Sequence, residues 1–191
     1  MLMTRELPID LNNLTPGARE ELIKLGLLGP DGRVQESPYK KDPARAAAYG
    51  KRAISAPQVL NEAVCYGSSF PRGLRLDFPG VTVLLISGTA SIDETGRTVY
   101  VGDFGAQCWR TYRNITTLLA AEGATWHDVA RTTCYLRDIE RDYDAFNRIR
   151  TAFFGWMGIE PLPASVGIQM RLCRDDLLVE IESVAVLPLP R

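Results

Sequence analysis

From Pro161 to Val186 the chain reads PLPASVGIQMRLCRDDLLVEIESVAV, two alternating runs around a charged turn. The first run carries Gln169, Arg171 and Cys173, and the second carries Glu180 and Glu182. A thiol and a carboxylate on one sheet face are a nucleophile and a general acid/base in the making. A turn centred on Asp175 and Asp176 sets Cys173 opposite Leu178, Arg171 opposite Glu180, Gln169 opposite Glu182 and Gly167 opposite Val184. Paired residues share a sheet face, so this register gathers the polar set on one side. Val166, Ile168, Met170, Leu172, Val179, Ile181 and Ala185 then form an apolar stripe on the other. A one-residue slip would scramble both faces. The plainer reading makes Arg171 and Glu180 a surface ion pair contributing ~0 to 1 kcal/mol, with Cys173 a small hydrophobe.

Other chemistry-bearing residues are sparser. In FPRGLRL, Phe70, Arg72 and Leu74 fall on one face of a strand and Arg75 on the other. A guanidinium at either place suits bidentate grip on a carboxylate. Asn147 interrupts a helical run in which Asn is no favourite. His127, the only histidine, sits just past a helix stop and reads as an exposed loop residue. Cys65, Cys108, Cys134 and Cys173 are scattered and form no CxxC pair. That pattern argues against a zinc site and for reduced thiols. Glycines in SGTASIDETG lack the spacing and lysine of a phosphate loop.

Those residues need a scaffold, and the pattern supplies one. RGLRLDF alternates, VTVLLISGTASI is a buried β-branched run, and TVYV reads as a third strand after the ETGR turn. A helix follows from Asp103 to about Glu122, with Phe104, Cys108, Ile115, Leu118 and Leu119 at helical spacing and Gly123 closing it. ARTTCYLRD is a further strand, and YDAFNRIRTAFFGWM a second helix burying Phe146, Ile149 and Phe153. With the two terminal strands the order is β-β-β-α-β-α-β-β, an α+β sheet with two helices on one face. The first 55 residues differ. Thr15, Pro16 and Gly26 mark one short helix, followed by a segment rich in Gly, Pro and charge. Residues 1–55 read as an N-terminal extension and 56–191 as the domain.

Composition narrows the function. The 191 residues are 46% hydrophobic and 24% charged with a net charge of -1. A core of this size needs no metal or disulfide staple. No basic field draws it to nucleic acid, and no apolar run approaches the ~20 residues of a membrane helix. The start lacks a signal-peptide pattern, so a soluble cytoplasmic protein is expected.

The stretch LLISGTASID…GRTVYVGDFGAQCWRTYRNITTLLAAEGATWHDVARTTCYLRDIERDYDAFNRIRTAFF resembles the RidA/YjgF superfamily of imine and enamine deaminases. Ser87-Gly88, Gln107, Asn114, the EGAT..DV..T..YL.D passage, Asn147 with Phe153-Phe154, and VEIESVAV carry the likeness. They span about Phe70 to Leu187, and the first 55 residues have no counterpart in that family. The resemblance implies a chorismate-mutase-like α+β fold whose sheets assemble three to a barrel, with ligand clefts at the three interfaces. It also implies that Phe70 takes the family's aromatic position. In that family an arginine directly after a Pro-Ala pair clamps the substrate carboxylate. Here Ser165 follows Pro163-Ala164, so Arg72 or Arg171 is the expected substitute.

SGTASI, GDFGAQ, TYRN and a cysteine seven residues before the terminal glutamate also resemble the C-terminal half of chorismatases. There the glutamate matching Glu180 donates a proton and the cysteine matching Cys173 shapes the pocket. Together these point to a homotrimeric, metal-free and cofactor-free acid/base enzyme acting on a small unsaturated carboxylate, in specialised metabolism. Glu180 and Cys173 are the expected catalytic pair. Phe70, Arg72, Ser87, Asn147, Gln169 and Arg171 are the expected substrate contacts. The alternative is a non-catalytic binder of small molecules. A ribonuclease ranks last, because the chain has one histidine and no basic stripe.

Overall fold

The computed structural model describes residues 10–36, 49–57, 60–61 and 69–188. Cys65 lies outside them. The chain divides into two compact units, Met1–Ala46 and Ala47–Arg191.

In the first unit, Asp10 caps a 3-10 turn at Leu11–Asn13 by accepting from the Asn12 amide. Helix α1, Pro16–Lys24, starts where Thr15 accepts from the Ala18 amide and Pro16 supplies a preset first turn. Gly26, at φ 79°, ends it. The chain then doubles back, with Leu28 bridged to Val34.

Among the described residues, the second unit is one six-stranded sheet with two α-helices and a 3-10 turn at Trp126–Asp128. Its strands are β1 (Gly50–Ala53), β2 (Gly73–Phe78), β3 (Val81–Ala90), β4 (Val129–Leu136), β5 (Ala164–Gln169) and β6 (Val179–Pro188). Across the sheet they run β1-β2-β3-β6-β4-β5. Every neighbouring pair is antiparallel except β4 and β5, which are parallel. Gly50–Ala53, which the sequence pattern assigns to the extension, is thus the edge strand next to β2.

Helix α2, Phe104–Ala121, begins at Asp103, whose carboxylate accepts from the Ala106 amide. Helix α3, Ile139–Met157, begins at Asp138 in the same way and stops at left-handed Gly158. It starts four residues earlier than the apolar period alone suggests, because Asp138 caps it. Cys108, Ile115, Leu118, Leu119, Phe146 and Phe153 are buried as expected, and Phe104 and Ile149 pack partly buried beside them. They cover Leu84, Ile86, Cys134, Leu136, Val179, Ile181 and Ala185 from the sheet. Tyr112 stacks on Phe153 at 4.5 Å, and both meet Trp126 edge-on.

Two sequence expectations fail. TVYV is no strand: Thr98 makes only an isolated bridge to Ile92 before a turn that carries Tyr100 at φ 59°. The terminal hairpin is also absent. β6 is already paired on both edges, by β3 and β4. The crossover through α3 sets β5 parallel to β4 at the edge, with Cys134 beside Gly167 and Tyr135 beside Ile168. The faces of β5 are therefore inverted. Gly167 and Gln169 lie on the helix side, while Val166 and Ile168 share the open face with Glu180 and Glu182. Val166, Ile168 and Met170 are exposed, as are Leu85 and Val186 on the same face or its edge. The alternation in β6 holds, since Val179, Ile181 and Ala185 are buried. Alternation reports which residues share a face and is silent on which strand stands next door.

Candidate active site

The site grows from one irregularity. The pairing of β3 with β6 slips between Ile86 and Thr89, a bulge at Ser87-Gly88. The bulge brings the Gly88 backbone under Glu180, and a β-carbon at position 88 would stand 1.9 Å from Glu180 Oε1. Only glycine lets the carboxylate lie there. Ser87 then clasps a neighbouring segment. Its hydroxyl donates to the Pro71 carbonyl at 2.9 Å and its amide to the Arg72 carbonyl at 3.0 Å. Phe70 and Arg72 thereby stand against the bulge, just before β2.

The remaining wall is the loop between β5 and β6. Gln107, fully buried on α2, donates to the Tyr100 and Asp176 carbonyls and accepts from the Leu178 amide at 2.8 Å. Arg137 donates to the Leu177 carbonyl at 2.6 Å and to the Arg174 carbonyl. Arg174 in turn donates to the Gly96 carbonyl at 2.7 Å. Asn114 ties the end of β3, donating to the Ala90 and Ile92 carbonyls. These contacts frame an open cleft of about 330 Å³, the size of a small-molecule site. Phe70, Arg72, Gly88, Cys173, Arg174 and Glu180 line it with Ala90, Ile92 and Leu177.

Four of the expected residues, Phe70, Arg72, Cys173 and Glu180, therefore meet. The other four do not line the cavity. Arg171 is not paired with Glu180; it reaches Asp175 at 3.3 Å with both side chains in water, because β5 is not the neighbour of β6. Gln169 accepts from the Ile139 amide and so caps α3. Asn147 accepts from Arg150 on α3. Ser87 acts as the clasp. Sequence reasoning missed Arg174, Leu177 and Ile92, whose place depends on a loop the expected two-residue turn would have removed. The turn charge in CRDD was the only available signal for Arg174.

Burial raises the Glu180 carboxyl above the ordinary carboxylate range, and the negative charge of Glu182 raises it further. A carboxyl raised in this way holds its proton to higher pH than a solvated one. Arg72 is buried, with Nε donating to the Asn61 carbonyl and Nη2 to Asn61 Oδ1, each at 2.8 Å. Cys173 is exposed at the cavity, whereas burial pushes the Cys108 and Cys134 thiols up and keeps them inert. Among the described residues there is no cluster of His, Cys, Asp and Glu that would hold a metal ion. No helix among them is long and apolar enough to cross a membrane.

Residues 80–187 match the family model described as Endoribonuclease L-PSP. A RutC family protein of Pyrococcus abyssi is 34% identical over 103 residues, 53% of this chain and 76% of that one. The 3-aminoacrylate deaminase RutC of Acinetobacter baylyi is 34% identical over 103 residues, 54% of this chain and 78% of that one. In three dimensions the YjgF gene product of E. coli superposes with a TM-score of 0.58 at 23% identity, over 71% of this chain and 98% of that one. The matched span holds the bulge, Gln107, Asn114, Cys173 and Glu180, so the chain belongs to the endoribonuclease L-PSP family, within the RidA/YjgF superfamily.

Proposed function

We propose that this protein is a metal-free hydrolytic deaminase of a small unsaturated carboxylate, an imine or enamine, with Glu180 as the proton donor. One observation carries the reading: a carboxyl group raised by burial is seated on a bulge glycine, at the wall of a cavity that also holds Arg72. In an imine R–C(=NH)–COO⁻, the Glu180 proton goes to the nitrogen and makes the carbon an electrophile. The resulting carboxylate accepts a proton from the attacking water, and the carbinolamine collapses to the oxo acid and ammonia. With an enamine the same proton goes to carbon first. Arg72, with Arg174 beside it, supplies the charge that holds the substrate carboxylate. Cys173 shapes the wall. The 3-aminoacrylate deaminase activity in the name of the A. baylyi relative supports this class of reaction.

The chorismatase likeness leads in the same direction, since protonating an enol ether and adding water uses the same donor. A homotrimer fits the exposed apolar residues of the open face, which three sheets would cover on assembly. A place in specialised metabolism fits the altered anchor at Ser165.

The test is oxo-acid release from an imine generated in the assay, measured above the uncatalysed rate. Glu180→Gln, with unchanged fold and mass in solution, removes that excess. Equal turnover by Glu180→Gln rules out its acid role. Saturable binding of 2-oxobutyrate with no turnover by the unmodified protein leaves a non-catalytic binder.

A further inference from the structure

One face of α2 carries a shallow groove of about 320 Å³ that shares no lining residue with the Glu180 cavity. Ala106, Trp109, Arg110 and Arg113 line it, at the spacing that sets four residues on one helical stripe. Tyr100, from the turn before the helix, completes the lining.

Tyr100 is the one non-glycine residue at positive φ among the described residues, at 59°. A glycine would make this turn without strain. The turn is nevertheless held, because the Tyr100 carbonyl accepts from the Asp103 amide at 3.0 Å and from Gln107 Nε2 at 3.1 Å. The ring gains little burial in return, since Tyr100 is 53% exposed. A left-handed backbone kept under an exposed ring is strain that serves something other than the core. Trp109 is 46% exposed on the same groove, with its indole edge-on to buried Phe153 at 6.3 Å. The two rings do not pair with each other among the described residues, which leaves room for a flat guest to stack on them.

The groove is also cationic. Arg110 is buried, its Nε donating to the Ile92 carbonyl at 2.9 Å and its Nη2 to Glu94 Oε1 at 3.2 Å. Glu94 offsets that charge and leaves Nη1 for a ligand. Arg113 is exposed and makes no hydrogen bond or ion pair among the described residues, and no carboxylate lines the groove. Two guanidiniums about one helical turn apart suit the several oxygens of a phosphate monoester.

We infer that this groove binds a planar aromatic phosphate monoester, its ring stacked between Tyr100 and Trp109 and its phosphate on Arg113 and Arg110. The inference stands apart from the chemistry assigned to Glu180.

The experiment is a calorimetric titration of the full chain with 1-naphthyl phosphate, with neutral 1-naphthol and with inorganic phosphate. Naphthyl phosphate binds saturably, and each fragment binds about tenfold more weakly or worse. Arg113→Gln, a change at an exposed side chain, weakens binding by a similar factor. Tyr100→Gly weakens it too without lowering the melting temperature, because glycine relieves the turn. Glu180→Gln leaves it unchanged. Amide chemical shifts of Ala106, Trp109 and Arg113 move on titration of the unmodified protein, a readout that survives a variant that fails to fold. Absence of saturable binding, equal affinity for 1-naphthol, or full affinity in Arg113→Gln or Tyr100→Gly overturns the site. A lower melting temperature in Tyr100→Gly overturns it as well, by assigning the ring to the fold. So does loss of binding in Glu180→Gln with shifts confined to Gly88 and Cys173, which places the ligand in the other cavity.

Discussion

Glu180 and Gly88 are locked together by the absence of a single carbon. The Glu180 carboxylate occupies the space a side chain at position 88 would fill, 1.9 Å from where its β-carbon would stand. The bulge at Ser87-Gly88 makes that approach possible, so Glu180 is positioned by a strand two sheet neighbours would otherwise hold flat.

Gly88→Ala therefore displaces the acid without breaking the fold. The backbone there is not left-handed, so alanine meets no φ penalty, and the clashing atom is the movable end of a side chain. Turnover falls about a hundredfold, the scale of a misplaced general acid, while thermal unfolding shifts little. Turnover within threefold of the unmodified protein would remove Gly88 from the mechanism.

The pH profile tests the Glu180 environment. Its carboxyl is raised by desolvation first and by Glu182 second. In the proposed donor role it must be protonated, so activity declines as pH rises through its raised value. Glu182→Gln removes the charge that helps hold the proton, and the alkaline limb moves to lower pH. In stability terms, the native state holds this proton more tightly than the unfolded chain. That contribution is full below the unfolded value and is lost as pH rises through the folded one. A limb that stays put in Glu182→Gln assigns it to another group.

The loop bearing Cys173, Arg174 and Leu177 hangs on Gln107. Gln107→Ala strands the Leu178 amide and the Asp176 and Tyr100 carbonyls, at a cost of about 2 to 3 kcal/mol. With that wall loosened, KM rises more than kcat falls, because Glu180 keeps its own seat on Gly88. Steady-state kinetics beside urea denaturation separate the two effects.

Much of this was legible in the sequence, and the part that was not has a physical reason. Caps at Thr15, Asp103 and Asp138 are local, written in residues adjacent to the turns they close. The buried and open faces of β6 follow from alternation alone. Strand neighbours are long-range, and the same alternation in β5 fits a hairpin with β6 or a parallel place beside β4 equally well. Arg171 was lost and Arg174 gained by that one choice.

At the edge of the sheet formed by β1 and β2, a charge network meets the end of α2. Glu122, with its side chain 2% exposed, accepts from Arg52 Nη1 at 2.8 Å and from Arg75 Nη1 at 3.3 Å. Arg75 also donates to Asp77 at 2.8 Å, and Thr82 donates to the same carboxylate at 2.6 Å. Those contacts hold Asp77 below the ordinary carboxylate range, the Thr82 hydrogen bond foremost. Glu122→Gln removes the central charge and leaves Arg75, 14% exposed, without its buried counterion. The variant loses about 3 kcal/mol, which lowers the melting temperature by roughly 6 to 12 °C in a chain of this size. Arg52→Gln costs about 1 kcal/mol or less, because that side chain stands half in water and exposed pairs contribute little. Turnover per folded molecule is unchanged in both, since neither residue lines the Glu180 cavity. Equal losses in the two variants would mean that burial of Glu122 does not set the strength of this network.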